Sequence, residues 1–393
     1  MDKQSMQKGS QIRLFDLPQD VIQRGREMAG RGHDIWLAGL GAVATVEEQG
    51  FDESVAAGRI ARHLGTDHTE LRLTADALLE TVPRLPGIYD EPFCDSSQIP
   101  TLLVYELARK HVAVAVSGDG GDELFGGYTR YAWAAHVWNV ARAIPAVFQA
   151  PMGHALRRIP ARSVNHAYAR VQHVVPRAWR VSLPGEKLHK FSALLTAGHP
   201  DGLYHRLMSL WPDPTALVRG ATEPPGAIGD ERYRMLLGNF TERMMLFDLL
   251  TYLPDDILVK VDRASMAVSL EARAPLLDHR VVEWSWRLPL HMKTRKGQAK
   301  WLLRQLACRH IPGALLDQPK MGFGVPIEQW LRGPLRPWAE DLLDEGRLGR
   351  EGLLEVGPIR AAWRRHLDGA SSHHYQLWAV LMFQAWRDAW QPS

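Results

Sequence analysis

The chain has 393 residues, of which 46% are hydrophobic and 23% are charged, a composition typical of a globular protein too long for one ordinary core. Its 47 basic and 44 acidic residues give a formal net charge of only +3 at pH 7, so nothing in the composition requires a nucleic-acid partner. Cys94 and Cys308 are too few for a disulfide framework or a cysteine-rich zinc site. No apolar run approaches the roughly 18 residues of a membrane span, and the polar N-terminus is unlike a signal peptide. We therefore expect a cytoplasmic enzyme with no membrane partner.

The first 48 residues have weak structural signals. A short helix over residues 20–29 and a short strand over residues 35–38 are compatible with the sequence, but Gly30 and Gly32 lie between them. Residues 39–44 fit a Gly-x-Gly-x-x-Ala dinucleotide fingerprint, which is weak on its own. We reject that fingerprint because the helix after it could extend only to Gly50.

From Gly50 onward the pattern becomes regular. Ala56, Ile60 and Leu64 recur every four residues and Gly65 follows them, which predicts a helix that ends at this glycine. Residues 69–73 alternate in polarity and predict a strand.

A second cycle follows over residues 99–116. A stripe of apolar residues predicts a helix, and basic residues at 109–111 suit its C-terminal end. The wholly apolar run at 112–116 predicts a strand that is buried on both faces. Helices that alternate with buried strands predict an α/β fold with a parallel sheet of the doubly wound type. Beyond Tyr131 helical signals dominate to the end of the chain.

One segment is strongly basic. Between positions 142 and 190 a single acid, Glu186, faces nine basic residues, namely Arg142, Arg157, Arg158, Arg162, Arg170, Arg177, Arg180, Lys187 and Lys190. Such a segment could attract phosphates or nucleic acid. A solvated helical face is the favoured interpretation, because few aromatic residues are interleaved with the basic ones.

The strongest local signal is Ser-Gly-Asp-Gly-Gly-Asp-Glu-Leu-Phe-Gly-Gly-Tyr at residues 117–128. It begins where the buried strand is predicted to end, and ligands of open parallel sheets bind at the carboxyl ends of the strands. Its glycines allow an anion to approach the backbone closely. Asp119, Asp122 and Glu123 would repel a bare phosphate, so the motif favours a phosphate bound together with Mg²⁺. The alternative is a glycine-rich turn with solvated acids.

This motif resembles the second nucleotide-site motif of the asparagine synthetases. Further blocks follow that family in order and spacing, including Gly-Phe-Asp-Glu at 50–53, Tyr-Asp-Glu-Pro-Phe at 89–93, Asp-Ser-Ser-Gln-Ile-Pro at 95–100, Leu-Pro-Asp-Asp at 253–256, Lys-Val-Asp-Arg at 260–263, Glu-Ala-Arg-Ala-Pro-Leu-Leu-Asp at 271–278, Gly-Gln-Ala-Lys at 297–300 and Pro-Lys-Met-Gly-Phe-Gly-Val-Pro at 319–326. The resemblance covers roughly residues 50 to 390.

The resemblance implies a fold and a reaction. The fold is α/β, with an adenine-nucleotide hydrolase-like parallel sheet flanked by helices and a mostly helical C-terminal region. We expect a synthetase domain over residues 49–390, with its nucleotide-site core at about 50–131 and 240–330, after an atypical segment 1–48. The reaction is the activation of the aspartate side chain by ATP as an acyl-adenylate, with release of pyrophosphate, followed by displacement of AMP by ammonia.

The resemblance also assigns roles within the motif. Asp122 would hold Mg²⁺, and Ser117 and Gly118 would line the nucleotide. Asp119 would be the base that takes a proton from the attacking ammonia. It stands where better-known members have glutamate, and its side chain is one methylene shorter.

Other blocks supply further expected site residues. Lys300 would stabilise phosphate charge in the adenylation transition state, with a solvated helix lysine as the alternative. Lys260, Asp262 and Arg273 would line the ATP site, although Asp262 and Arg273 could equally form an internal ion pair. Lys320 lies between glycines in a loop that could close over the substrate.

The sequence departs from the family in two respects. Full-length members begin with a catalytic cysteine that heads a glutaminase domain, whereas Asp2 follows Met1 here, so we expect this chain to lack the glutaminase domain. The pyrophosphate-binding loop of the family, Ser-Gly-Gly-x-Asp-Ser, is also missing, since no Ser-Gly-Gly occurs in the sequence. We interpret the chain as the product of a truncated or frame-disrupted gene whose first 48 residues are foreign.

Three functions remain open at this point. The first is an asparagine synthetase homologue that is weakly active without its loop, with ammonia supplied free or by a separate glutaminase. The second is an amidotransferase acting on another carboxylate, such as a sugar acid. The third is a non-catalytic remnant that keeps the fold. A homo-oligomer is compatible with each of them.

Overall fold

The computed structural model describes residues 54–71, 74–159, 161–171, 199–317, 325–369 and 372–391, together with residues 185, 188, 191, 192 and 195. The expectations for residues 1–48 therefore lie outside the described residues. Its first half contains α1 (Ser54–Leu64), α2 (Ala75–Thr81), α3 (Leu85–Ile88), α4 (Gln98–Arg109), β1 (Val114–Val116), α5 (Gly121–Phe125), α6 (Thr129–Arg142), α7 (Ala146–Arg157), α8 (Ala161–Val171) and α9 (Pro200–Met208).

The second half is mostly helical. It contains α10 (Glu231–Leu236), α11 (Phe240–Leu250), a π-helical turn (Leu253–Leu258), α12 (Val259–Met266), β2 (Glu271–Arg273), α13 (His279–Arg287), α14 (Leu290–Lys293), α15 (Trp301–Ala307), α16 (Gly313–Leu316), α17 (Ile327–Arg332), α18 (Arg336–Leu342), α19 (Glu345–Glu351), α20 (Val356–Leu367) and α21 (His374–Trp390). Short 3₁₀ turns lie at Val82–Arg84, Ala227–Gly229 and Pro275–Leu277.

The two helices predicted from apolar spacing are confirmed. α1 buries Ala57, Ile60 and Ala61 and ends before Gly65, whose φ of +66° is easily adopted only by glycine. α4 buries the face that carries Ile99 and Leu102. In both helices the apolar period of about 3.6 residues matches the buried face.

The strand prediction is confirmed in part. β1 occupies three residues of the apolar run at 112–116 and pairs in parallel with β2, with Val114 opposite Glu271 and Val116 opposite Arg273. In the strand predicted at 69–73, Thr69 and Glu70 are exposed and non-strand, and positions 72 and 73 lie outside the described residues. Within the described part of the chain, the expected wide sheet is thus a two-stranded parallel sheet among many helices.

Two apolar clusters pack the helices together. The larger joins α2 to α4 and β1 to the C-terminal helices, where Trp363 and Trp378 are fully buried. The smaller lies between α6, α9 and α11, around Tyr131, Tyr204 and Phe247. The C-terminal helices therefore brace the strand from which the 117–128 motif continues. None of the helices described here combines the length and apolar character needed to cross a bilayer.

Candidate active site

The 117–128 motif leaves β1 and enters α5. The backbone N–H of Ser117 donates to the carbonyl oxygen of Arg273 at 2.7 Å, which continues the β1–β2 pairing by one residue. Gly120 then adopts a φ of +85°, and a Cβ atom at this position would lie 2.2 Å from Cδ2 of Leu277. The turn therefore requires glycine for its conformation and for the close approach of Leu277.

The start of the motif is held by its own side chains. The Ser117 hydroxyl donates to Oδ2 of Asp119 at 2.6 Å, and the N–H of Gly121 donates to the carbonyl oxygen of Gly118 at 3.2 Å. Nothing lies within 4 Å of the position that a Cβ of Gly118 would occupy. The backbone at Gly118 is thus accessible to a ligand, and Asp119 is kept in the loop next to it.

The structure brings Asp122 and Lys300 together across 178 positions of sequence. Nζ of Lys300 lies 2.9 Å from Oδ2 of Asp122, and their side chains are 33% and 23% exposed. Lys300 has a φ of +50° and directly precedes α15. A Cβ on Gly127 would lie 1.9 Å from Oδ1 of Asp122 and 2.3 Å from Cε of Lys300. Gly127, in the second Gly-Gly pair of the motif, therefore leaves the space that the Asp122–Lys300 ion pair occupies.

The residues present fit Mg²⁺ bound together with a nucleotide. In the parts of the chain that the structure describes, no three His, Cys, Asp or Glu side chains form a metal-binding group. Mg²⁺ at a nucleotide site, however, needs only one or two carboxylates, because phosphate oxygens and water complete its coordination. A partly exposed Asp122 carboxylate next to a loop with accessible backbone meets that requirement.

Lys260 lies in a different and more enclosed polar cluster. Its Nζ donates to Oδ2 of Asp95 at 2.6 Å and to the Ser97 hydroxyl at 2.8 Å. Burial alone would raise the pKa of Asp95, but the Lys260 charge and the hydrogen bonds from Lys260 and Ser97 outweigh it and lower that pKa. Lys260 thus holds the loop before α4 against α12.

Asp256 lies close to this cluster. Its Oδ1 atom is buried without a hydrogen-bond partner. Burial and the Asp95 charge raise the pKa of Asp256 to about 7, although the Lys260 charge acts in the opposite direction. The cluster therefore holds one carboxylate firmly ionised and a second carboxyl that keeps its proton up to near-neutral pH.

The remaining predicted site residues are not gathered at the motif. Asp262 pairs with Arg263 at 2.7 Å, and Arg273 pairs with Glu271 at 2.6 Å, with all four side chains at least 41% exposed. The alternative of an Asp262–Arg273 ion pair is therefore wrong, because each side chain is satisfied by a residue one or two positions away. Only the backbone of Arg273 reaches the motif. Lys320 lies outside the described residues.

A buried network behind the motif was missed in the sequence. The Tyr128 hydroxyl donates to Oε1 of Glu123 at 2.6 Å, and Glu123 is only 2% exposed. The Arg130 guanidinium stacks 3.7 Å from the Tyr128 ring centre and pairs at 2.6 Å with Asp248, which is fully buried. Asp248 also accepts hydrogen bonds from Tyr131 and Tyr204. Asp248 is more than 100 positions from Arg130 and Tyr131, so no local sequence pattern could signal these contacts.

Comparison with known proteins agrees with the motifs. The sequence model of asparagine synthase matches residues 38–388. The chain therefore belongs to the asparagine synthase family. The match begins within the segment 1–48, and the boundary near residue 49 stays a prediction.

Individual relatives have the following names. "Putative asparagine synthetase (glutamine-hydrolyzing)" of Mycobacterium bovis is 32% identical over 345 residues, which are 86% of this chain and 49% of that protein. Glutamine-hydrolyzing asparagine synthetase 1 of Bacillus subtilis is 27% identical over 342 residues, 86% of this chain and 50% of that protein. Amidase chry2 of Gibberella zeae is 22% identical over 349 residues, 82% of this chain and 48% of that protein. The chain thus spans about half the length of the curated relatives it matches.

Proposed function

We propose that the chain is the ATP-dependent synthetase part of an asparagine synthetase-type carbon–nitrogen ligase. In the first step a carboxylate oxygen of aspartate attacks the α-phosphorus of ATP, which forms an acyl-adenylate and releases pyrophosphate. In the second step the nitrogen of ammonia attacks the acyl carbon, AMP leaves, and a base takes the extra proton from nitrogen. Ammonia comes from solution or from a glutaminase.

The observation that carries this proposal is the Lys300–Asp122 pair beside the glycine-rich loop. A lysine and a carboxylate that meet at the carboxyl end of a parallel strand are suited to bind a nucleotide phosphate with its metal. Both side chains keep partial exposure. Lys300 can therefore turn from Asp122 to a phosphate oxygen and stabilise the charge that develops during adenylation.

The other roles in the motif are part of the same proposal. Gly118, with its accessible backbone, and the neighbouring Ser117 line the nucleotide, and Asp122 holds Mg²⁺, which would supply charge neutralisation on the phosphates when bound. Asp119 is the base for the attacking ammonia, and its hydrogen bond from Ser117 keeps it within the loop. Lys260 acts from the Asp95 cluster by positioning α12, and Asp262 and Arg273 are proposed to line the ATP site. Lys320 is proposed as a catalytic residue in a loop that closes over the substrate.

Two alternative functions are compatible with the same fold. Two relatives, 22% and 24% identical to this chain, are named amidases rather than asparagine synthetases. Their names support amide chemistry on a carboxylate other than aspartate, and a sugar acid is the alternative substrate proposed. The sequence contains no Ser-Gly-Gly, which favours a protein that binds nucleotide without turnover. The substrate is set by a few pocket side chains, so these alternatives are separated by assay.

The experiment is a pyrophosphate-release assay with ATP, Mg²⁺ and ammonia, repeated with aspartate, glutamate and a uronic acid. Aspartate-dependent release with formation of asparagine supports the proposal. Pyrophosphate release only with another acid would identify that acid as the substrate. Nucleotide binding without release for any acid supports the non-catalytic alternative, and no nucleotide binding contradicts all three.

A further inference from the structure

α7 presents its apolar residues to solvent. Its inner face, with Met152, Gly153 and Leu156, packs toward the smaller apolar cluster. Its outer face carries Val147, which is 74% exposed, and Phe148, which is 61% exposed. An ordinary surface helix has a polar outer face, so an apolar outer face indicates a surface that is covered in use.

The outer face continues along the helix at helical spacing. Pro151 and Ala155 are also exposed, at positions four and eight residues after Val147. Val140 at the end of α6 and Ile159 after α7 are 45% and 40% exposed. The exposed apolar residues of α7 therefore run from Val147 to Ala155, and further exposed apolar residues lie before and after the helix in sequence.

The segment that carries this surface is basic and has no carboxylate side chain. From position 142 to position 171 the sequence contains no Asp or Glu. Arg142, Arg158 and Arg170 are exposed, and His154 and His166 lie among them. This stretch is the described part of the basic segment that the proposed ligase function leaves unused.

We propose that the outer face of α7, with the exposed Arg142, Arg158 and Arg170, is a docking surface for an anionic phospholipid membrane. Exposed apolar side chains on a helix, in a segment whose charged residues are all basic, are typical of helices that lie in the membrane interface. The apolar side chains enter the acyl boundary while the arginines face the lipid phosphates. The proposal departs from the sequence-based expectation of no membrane partner.

Lipid explains the surface better than RNA does. Single-stranded RNA binds through aromatic side chains on which bases stack. Phe148 is the only aromatic residue of α7, and Tyr168, which is only partly exposed, is the only one of α8. Exposed Val147 and Ile159 offer no stacking surface but suit hydrocarbon.

α10 provides a matched control within the same chain. Met235 and Leu236 are 80% and 71% exposed, so this pair exceeds Val147 and Phe148 in exposure. Asp230 caps α10 and Glu231 lies in its first turn, so acids accompany its basic residues. The proposal therefore predicts no lipid binding through α10.

The experiment is co-sedimentation of the full chain with vesicles of phosphatidylcholine alone or of phosphatidylcholine and phosphatidylglycerol in equal parts. We expect binding only to the anionic vesicles, weakened by added salt. The double substitution Val147→Glu/Phe148→Glu should lower the partition coefficient at least tenfold. Met235→Glu/Leu236→Glu should leave it within about twofold, and thermal unfolding should show that both variants are folded.

Three results would overturn the proposal. The first is equal binding to neutral and anionic vesicles, or none. The second is equal anionic-vesicle binding by the Val147→Glu/Phe148→Glu variant and the unsubstituted chain. The third is binding of single-stranded RNA by a chain that binds no vesicles. A dimer that the Val147→Glu/Phe148→Glu variant converts to a monomer, again without vesicle binding, would count in the same way. Each of these outcomes is independent of whether the chain has ligase activity.

Discussion

Two lysine–aspartate pairs of similar geometry lie in different surroundings. Lys300 and Asp122 are 2.9 Å apart, with side chains 33% and 23% exposed. Lys260 and Asp95 are 2.6 Å apart, with Lys260 only 11% exposed. Both lysines were expected at the ATP site from the sequence.

The difference lies in what else each lysine binds. Lys260 also donates to Ser97, and Asp95 accepts the Ser97 hydroxyl and backbone N–H, so the second pair is tied into the fold. Lys300 sits where Gly127 leaves space. We infer that the first pair is open to exchange its partner for a ligand, whereas the second pair maintains the structure.

The largest effect is expected from Lys300→Met. If Lys300 stabilises the transferring phosphate as proposed, loss of its charge should lower the rate of pyrophosphate release by about 10²-fold, or about 3 kcal/mol. The control is Lys296→Met, because Lys296 has nearly the same φ, +49° against +50°, and is exposed. Equal rates for the two variants would contradict the assignment of Lys300.

Lys260→Met should instead lower stability. Removing Lys260 leaves the mostly buried Asp95 carboxylate without its cationic partner, at a cost of about 2 kcal/mol in the free energy of unfolding. Urea denaturation measures it. Arg263→Met is the comparison, because its partners Asp90 and Asp262 are 60% and 59% exposed, and it should cost less than about 0.5 kcal/mol. Equal losses of unfolding free energy for Lys260→Met and Arg263→Met would contradict a stabilising role for the cluster of Lys260, Asp95 and Ser97.

Asp256 should give this cluster a pH dependence. Its pKa is raised from 3.8 to about 7, so between these values the folded protein holds a proton that the unfolded chain has lost. The free energy of unfolding therefore falls as the pH rises through this window and levels off above it. The Asp256→Asn variant cannot bind this proton, so its free energy of unfolding should lack the fall. The difference in unfolding free energy between the variant and the unsubstituted chain should therefore grow in favour of the variant by on the order of 2 kcal/mol from about pH 4 to pH 7. Parallel stability–pH curves for the two proteins would show that Asp256 titrates normally.

The smallest effect is expected from Gly127→Ala. The added Cβ would lie 1.9 Å from Asp122 and 2.3 Å from Lys300, so one of these side chains must move. We expect pyrophosphate release to fall about tenfold, with little change in unfolding free energy, since both neighbours are partly exposed and can shift. Gly87→Ala, where nothing lies within 4 Å, serves as the control and should leave the rate unchanged.

The sequence predicted the elements that depend on local pattern. α1 and α4 follow from apolar spacing, and β1 follows from an apolar run. β2 could not be found in this way, because Glu271-Ala272-Arg273 has charged residues on both sides of one alanine and two of its three residues are exposed. Its strand character comes from pairing with β1, a tertiary effect.

The site was predictable to the extent that family motifs mark it. Asp122 and Lys300 belong to two such blocks, and the structure places them in contact. The partner of Lys260 lies 165 positions away, and that of Arg130 lies 118 positions away, so neither pair has a local signature. Periodicity also could not show that the outer face of α7 is apolar, because it does not tell which side of a helix is covered.

The most direct test of the account is lysine acetylation followed by mass spectrometry, with and without ATP and Mg²⁺. It requires no turnover and compares both lysines in the same sample. We predict that nucleotide lowers the labelling rate of Lys300 at least about fivefold, since a bound phosphate occupies its Nζ, and leaves the rates of Lys260 and Lys296 unchanged. Equal labelling of Lys300 with and without nucleotide, under conditions where nucleotide binding is measured independently, would contradict the account.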